Sequence, residues 1–141
     1  MQKVLAQHGI DSQLIDYAEN RSNLVAENSQ GERVLGFTGH MDVVDPGEQD
    51  LWAYDPFSAH IEGNKLYGRG STDMKSGLAA MVIAMIELKE EGILLSGKIR
   101  LLATVGEEVG ELGAEQLTKA GYADDLSGLI IGEPSNYNLV Y

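Results

Sequence analysis

Apolar residues along this chain come in short runs that glycines and polar turns separate. The longest pattern with helical spacing predicts a helix over Ser76–Glu91, which Gly92 ends. Its apolar positions, methionines included, are predicted to face the core. Shorter apolar or alternating runs predict strands. These strands are Ser12–Ala18, Asn23–Glu27, Arg33–Gly39, Lys98–Val105 and Leu129–Ile131.

The remaining predicted elements are shorter. Ala59–Tyr67 predicts a hairpin that turns at its central Glu-Gly-Asn-Lys segment, and Ala114–Lys119 predicts a second helix. Composition predicts a turn at Asn28–Gly31. From Arg33 onward strands and helices alternate, which is typical of right-handed crossovers and a parallel sheet. No repeat or low-complexity linker divides the 141 residues, so one α/β domain is expected.

Both ends of the chain resemble interrupted elements. Met1–Gly9 has the pattern of the last turns of a helix that its final glycine caps. Asn138–Tyr141 has the pattern of a strand that is just beginning. We therefore expect this chain to be part of a longer protein.

Charge and composition narrow the classes of function. Ten basic and twenty-two acidic residues give a formal net charge of −12, which argues against nucleic-acid binding. No apolar run approaches the ~20 residues needed to cross a membrane, and the N-terminus lacks a signal-peptide pattern. The chain has no cysteine, which fits a cytoplasmic protein and restricts metal ligands to histidine, aspartate and glutamate.

One histidine and several carboxylates follow the predicted parallel strands, at the edge where open α/β sheets bind ligands. A further carboxylate precedes the long helix, in a glycine-rich segment that turns it inward. These residues are His40, Asp42, Asp73, Glu107, Glu108 and Glu133. Converging carboxylates repel one another, and a divalent metal resolves the repulsion. Ligands without sulfur predict zinc, cobalt or manganese, and a shared carboxylate is usual in two-metal hydrolases.

Other residues allow interpretations besides a metal centre. Lys75 and Ser76 stand beside glycines as in a phosphate-binding loop, but the glycine spacing of that loop is not met, which argues against nucleotide binding. His8 and His60 belong to no motif and are expected to be surface or partly packed histidines. A non-catalytic metal-binding or interaction module is the alternative to an enzyme.

Four motifs in a familiar order carry a family resemblance. They are Gly39–Val44, Gly68–Gly77, Gly106–Glu108 and Gly132–Ser135, and Trp52–Phe57 resembles the loop between the first two. Together they resemble the metallopeptidase family of succinyl-diaminopimelate desuccinylase, acetylornithine deacetylase, aminoacylase and carboxypeptidase G. The resemblance covers nearly the whole chain. It implies a truncated α/β domain of three layers, phosphorylase/hydrolase-like and of the zinc exopeptidase type, with a mixed, mostly parallel central sheet.

The same resemblance implies a site with two divalent metals, zinc first and cobalt or manganese as alternatives. Asp73 is implied as the carboxylate that bridges both metals. His40 and Glu133 are implied as ligands of one metal, and Glu108 as a ligand of the other. Glu107 is implied as the general base that takes a proton from water and returns it to the leaving amine.

Two further details come with the resemblance. Asp42 is implied as the residue that hydrogen-bonds the His40 imidazole and orients it, a contact that tunes a metal ligand. The peptide bond between Asp73 and Met74 is implied to be cis.

The resemblance also implies the substrate and partners. The substrate is a small N-acyl amino acid of the succinyl-diaminopimelate or acetylornithine class, with a dipeptidase or aminoacylase as the alternative. Family members add a smaller domain, used for dimerisation and lid closure, and a distal histidine ligand. Without these, we expect this chain alone to hold one metal at His40, Asp73 and Glu133, to bind a second weakly, and to be nearly inactive.

Overall fold

The computed structural model describes residues 1–28, 31–93, 95–136, 138 and 140. Its helices are α1 (Gln2–Gln7), α2 (Ser76–Glu90) and α3 (Leu112–Lys119). Its strands are β1 (Ser12–Ala18), β2 (Arg21–Asn28), β3 (Val34–His40), β4 (His60–Glu62), β5 (Lys65–Tyr67), β6 (Lys98–Thr104) and β7 (Leu126–Ile131). Ser29 and Gln30 of the predicted turn lie outside the described residues, as do Leu139 and Tyr141 of the predicted C-terminal strand.

Five strands form one sheet in the order β1-β2-β6-β3-β7. Strand β3 pairs in parallel with both β6 and β7, as the alternating pattern predicts for this half of the chain. Strand β2 is antiparallel to β1 and to β6, so the described sheet is mixed, as expected. The link from β1 to β2 is only Glu19 and Asn20, which suffices for a hairpin but is too short for a parallel crossover.

Helices cover both faces of the sheet and give the three layers that were expected. On one face α1 and α2 enclose the larger core, in which Leu5, Met85 and Leu101 are fully buried. On the other face α3 contributes Leu117 to a smaller core with strands β2 and β6. The methionines of α2 therefore serve as core residues, as predicted.

Element boundaries follow the predictions closely, with one informative exception. Strand β7 begins at Leu126, earlier than the predicted Leu129, because pairing with β3 continues through residues that are not apolar. The hairpin β4–β5 forms as predicted. Within the part of the chain that the structure describes, no helix is long and apolar enough to cross a membrane.

Candidate metal centre

The parallel strands deliver the predicted site residues to one end of the sheet. His40 is the last residue of β3 and pairs in register with Thr104, the last residue of β6. Glu107 follows β6, and Glu133 follows β7. The chain continues this alignment beyond the strands, because the Gly132 amide donates to the Thr38 carbonyl at 3.2 Å. All three side chains therefore start from the same edge.

The His40 imidazole lies at the centre of the cluster and is 2% exposed. Its Nδ1 donates to the backbone carbonyl of Asp42 at 3.0 Å, so Nε2 is the nitrogen that faces the carboxylates. Nε2 lies 3.1 Å from Asp73 Oδ1, 3.6 Å from Glu133 Oε1 and 3.8 Å from Glu107 Oε2. Burial lowers the pKa of His40, but the Asp73 and Asp42 hydrogen bonds and the neighbouring carboxylates outweigh burial and raise it.

The Asp42 side chain makes contacts that the sequence did not predict. Its two carboxylate oxygens accept the backbone amides of Glu107 and Glu108, each at 3.3 Å. The carboxylate is 3.7 Å from the His40 imidazole, and the backbone carbonyl makes the closer contact. Asp42 thus links the loop after β3 to the loop after β6.

Asp73 reaches the site from an irregular turn at Ser71–Lys75 that precedes α2. The turn starts at Gly70, whose φ of +81° suits glycine and where any side chain would overlap Val43. The peptide bond between Asp73 and Met74 is cis, as the resemblance implies. This turn places the Asp73 carboxylate beside His40 while leaving it 57% exposed.

The donor atoms fit a divalent metal. One ligand atom each from His40, Asp73 and Glu108 lie within 4.8 Å of one another. The imidazole nitrogen and carboxylate oxygens, without sulfur, suit zinc, cobalt or manganese. Glu133 Oε1 lies 3.6 Å from the same His40 nitrogen but does not belong to this three-residue group.

The charges of the cluster also call for a cation. Burial raises the pKa of Glu133, and the charges of Asp73, Glu107 and Glu108 raise it further against the opposing effect of His40. A raised carboxyl pKa means that the negative charge is held unfavourably here. One imidazole does not compensate this group of carboxylates, whereas a bound divalent ion does.

A cavity of about 410 Å³ opens beside these residues. His40, Glu107 and Glu133 line this cavity together with apolar side chains that include Leu117 and Leu129. Its size is within the range of small-molecule sites in proteins.

Sequence reasoning missed two residues beside the site. Met74 is fully buried, and its sulfur accepts the His40 amide at 3.1 Å. The Lys75 ammonium donates to the Met41 carbonyl. A signal for close packing was present, because a glycine directly precedes His40, Glu107 and Glu133.

The two histidines outside the motifs lie elsewhere. His8 forms an exposed contact with Glu90 at 2.7 Å. The His60 ring stacks on Tyr54 with centroids 3.7 Å apart. These surface and packing contacts are of the kind that was expected.

Comparison with known proteins gives one family. The sequence model of peptidase family M20/M25/M40 matches residues 36–140. A probable succinyl-diaminopimelate desuccinylase of Staphylococcus epidermidis is 53% identical over 141 residues, 100% of this chain and 35% of the relative. A protein of the same description from Staphylococcus aureus is 52% identical, over 95% of this chain and 34% of the relative. The chain thus spans about a third of the length of the curated relatives it matches.

Solved structures show the same fold. A metallo-carboxypeptidase of the M20 family from Sulfolobus solfataricus superposes with a TM-score of 0.81 at 24% identity, over 93% of this chain and 30% of that one. Human carnosine dipeptidase 1 superposes with a TM-score of 0.78 at 23% identity, over 92% of this chain and 30% of that one.

Proposed function

We propose, because this chain belongs to peptidase family M20/M25/M40, that the protein carrying it is a metal-dependent amidohydrolase. The proposed reaction removes the acyl group from an N-succinyl amino acid of the diaminopimelate type, or from an N-acetyl analogue. The names of relatives at 52–53% identity support the succinyl substrate. The observation that carries the proposal is the His40 imidazole, whose Nε2 faces three carboxylates at the carboxyl end of the sheet.

Four residues are proposed to hold two divalent metals, with zinc first and cobalt or manganese as alternatives. They are His40, Asp73, Glu108 and Glu133. Asp73 is proposed to bridge, because its carboxylate is both next to His40 and grouped with Glu108. When bound, the metals would lower the pKa of water and polarise the amide carbonyl.

Glu107 is proposed as the general base. Its carboxylate is 39% exposed and lines the cavity, it lies 3.8 Å from His40 Nε2, and no described residue makes a shorter polar contact with it. At this position it takes a proton from the water that attacks the amide carbonyl. It then gives that proton to the amine nitrogen as the carbon–nitrogen bond breaks.

Asp42 is proposed to support this chemistry through hydrogen bonds to the residues of the site. Its carboxylate holds the amides of Glu107 and Glu108, and its backbone carbonyl holds His40 Nδ1. It is proposed to orient all three side chains rather than the imidazole alone.

The proposal extends to the setting of the reaction. The 141 residues are proposed to be the N-terminal part of the catalytic domain, with dimerisation through a separate, smaller domain. The partner is a small molecule that reaches the cavity beside His40. A cytoplasmic location fits the absence of cysteine.

The proposal is tested by measuring steady-state hydrolysis with the complete protein, which is the full-length protein that contains these 141 residues. N-succinyl-diaminopimelate, N-acetylornithine and a dipeptide are compared after metal removal and after zinc is restored. We expect zinc-dependent release of succinate with the highest kcat/KM of the three. Preferred cleavage of the dipeptide would assign a peptidase instead. No hydrolysis of any of them with zinc present would contradict an amidohydrolase.

A further inference from the structure

The side chain of Met74 fills the space directly behind the candidate metal centre. It is fully buried, and its sulfur accepts the backbone amide of His40 at 3.1 Å. Its own backbone follows Asp73 in the chain. Met74 thus contacts the backbone of one candidate ligand, His40, through its side chain and is bonded to another, Asp73, in the chain.

Two glycines make room for this thioether. A Cβ at Gly39 would overlap the Met74 methyl and lie 2.8 Å from its sulfur. A Cβ at Gly132 would lie 3.0 Å from the same methyl and 2.9 Å from the methyl of Met81. The side chain therefore occupies a slot on the face of the sheet, over the paired ends of β3 and β7, and only glycine at both positions leaves this slot open. An unbranched thioether suits such a narrow slot.

The start of α2 lies against the chain that follows β7, next to the same slot. A Cβ at Gly77 would overlap the Gly132 carbonyl, so the helix backbone rests against the strand end. The separation between α2 and β7 at this level is thus set by direct backbone contact. This contact limits how closely the two elements can approach each other beside Met74.

We infer that Met74 is a positioning residue that sets the spacing of His40, Asp73 and Glu133, an inference that rests on the proposed function. Each of these ligands is the direct sequence neighbour of a residue in the slot, namely Gly39, Met74 or Gly132. A displacement of any of these three residues therefore moves the candidate ligand that is bonded to it in the chain. Metal binding depends on such displacements, because ligand geometry must be held to a fraction of an ångström.

Metal titration of the complete protein, followed by calorimetry and by the visible spectrum of the cobalt form, tests the inference. Met74→Leu keeps the volume but removes the sulfur acceptor and branches the side chain. Gly132→Ala pushes on the same methyl from the other side. Both variants are expected to weaken zinc binding roughly tenfold or more and to change the cobalt spectrum.

Two matched variants separate positioning from general stability. Met85→Leu changes an equally buried methionine in the same core that adjoins no candidate ligand. Gly128→Ala adds a methyl on the same strand, where its nearest neighbour would be at an ordinary 3.6 Å. Both controls are expected to keep the affinity and the cobalt spectrum of the unmodified protein, even where the melting temperature falls.

The outcomes are distinct. Unchanged zinc affinity and cobalt spectrum in Met74→Leu, with metal binding normal in the unmodified protein, would overturn the positioning role alone. Equal losses of affinity in Met74→Leu and Met85→Leu would overturn it too, because the effect would then be one of general stability. An unmodified protein that binds no divalent metal would overturn the proposed function, and the inference with it.

Discussion

Two charged clusters on the same sheet differ in how their charge is balanced. In the Arg100 cluster, defined by Glu27, Lys98, Arg100 and Asp125, the guanidinium donates to Glu27 at 2.6 Å and to Asp125 at 2.5 and 3.0 Å. Lys98 adds a second cation beside Glu27 at 3.2 Å. At the candidate metal centre, one imidazole faces several carboxylates, and no lysine or arginine pairs with them among the described residues.

The pKa values record this difference. Partial burial raises the pKa of Glu27, but its hydrogen bonds to Arg100 and Lys98 and their charges outweigh burial and lower it. The Arg100 hydrogen bond lowers the pKa of Asp125. Burial and its acidic neighbours instead raise the pKa of Glu133. The chain thus neutralises the Arg100 cluster with its own side chains, and the candidate metal centre keeps an excess of negative charge that the proposed metals would balance.

A cavity alone does not mark the functional cluster. A cavity of about 510 Å³ adjoins the Arg100 cluster, and its charged lining residues include Glu27, Arg100 and Asp125, which pair with one another. Among the described residues, no lysine or arginine pairs with the carboxylates that line the smaller cavity beside His40. Incomplete charge balance, and not cavity size, distinguishes the candidate site in this molecule.

The largest effect, on kcat, is expected for a change of Glu107, because this residue belongs to the candidate metal centre and not to the Arg100 cluster. Glu107→Gln is expected to keep the fold and the metal while lowering kcat by at least ~10²-fold, because the proposed general base is removed. Steady-state kinetics of the complete protein measures this. Glu115→Gln, which changes an exposed carboxylate paired with Lys119, is the control and should keep kcat. Near-normal kcat in Glu107→Gln would reject its role as base.

Metal binding should respond next most strongly, through Asp73. Asp73→Asn removes the carboxylate charge shared by both proposed metals. The affinity for each of the two metals is therefore expected to fall, by roughly tenfold to a hundredfold. Calorimetric titration with zinc gives stoichiometry and affinity. The control Asp50→Asn changes an exposed aspartate in a surface turn. If Asp73→Asn loses only one metal, the carboxylate does not bridge.

Asp42 offers a finer test of the same cluster. Asp42→Asn keeps one carbonyl oxygen as an acceptor, but its amide group has no second acceptor for the paired amides of Glu107 and Glu108. We expect roughly tenfold weaker zinc binding, with little change in melting temperature. The backbone contact to His40 is retained in this variant. Zinc affinity equal to that of the unmodified protein would mean that these two amide contacts do not position the ligands.

The smallest expected effect lies in the balanced cluster and leaves metal binding untouched. Arg100→Met is expected to lower the free energy of unfolding by about 1–2 kcal/mol, because charged hydrogen bonds are lost from a side chain that is 9% exposed. Urea denaturation measures it, with the exposed Lys119→Met as a near-neutral control. Weakened zinc binding in Arg100→Met would break the separation between the two clusters.

At acid pH, the contribution of Glu27 to the stability of the Arg100 cluster is expected to be lost. Because the folded-state pKa of Glu27 is depressed, its stabilising contribution is present above its unfolded pKa of about 4.5 and is lost as the pH falls through the folded value. The gap in stability between the unmodified protein and Arg100→Met should therefore narrow as the pH falls below about 4.5. A gap that stays constant down to complete protonation would argue against this ion pair.

Much of the fold was predictable because local signals agreed with the global arrangement. The apolar spacing of α2 and the glycine after it predicted its start and, to within one residue, its end, and the strand–helix alternation predicted the parallel strands. The start of β7 was not predictable, because residues Ser127 and Gly128 interrupt its apolar run and only pairing with β3 reveals them as strand.

The candidate site was likewise predictable in part. Motif order predicted which six residues gather at the edge, since strand ends are readable from sequence. Contacts between distant segments were not readable. The amide contacts of Asp42 and the slot around Met74 join residues from separate loops, and only the folded chain brings them together. Their assigned roles as ligands and base stay predictions.

Zinc-edge anomalous diffraction from crystals of the complete protein grown with zinc tests the central claim most directly. The account predicts a strong anomalous peak within bonding distance of His40 Nε2 and an Asp73 carboxylate oxygen, and no peak at the balanced Arg100 cluster. A map without a peak beside His40, in crystals where zinc is bound elsewhere on the protein, would contradict the account.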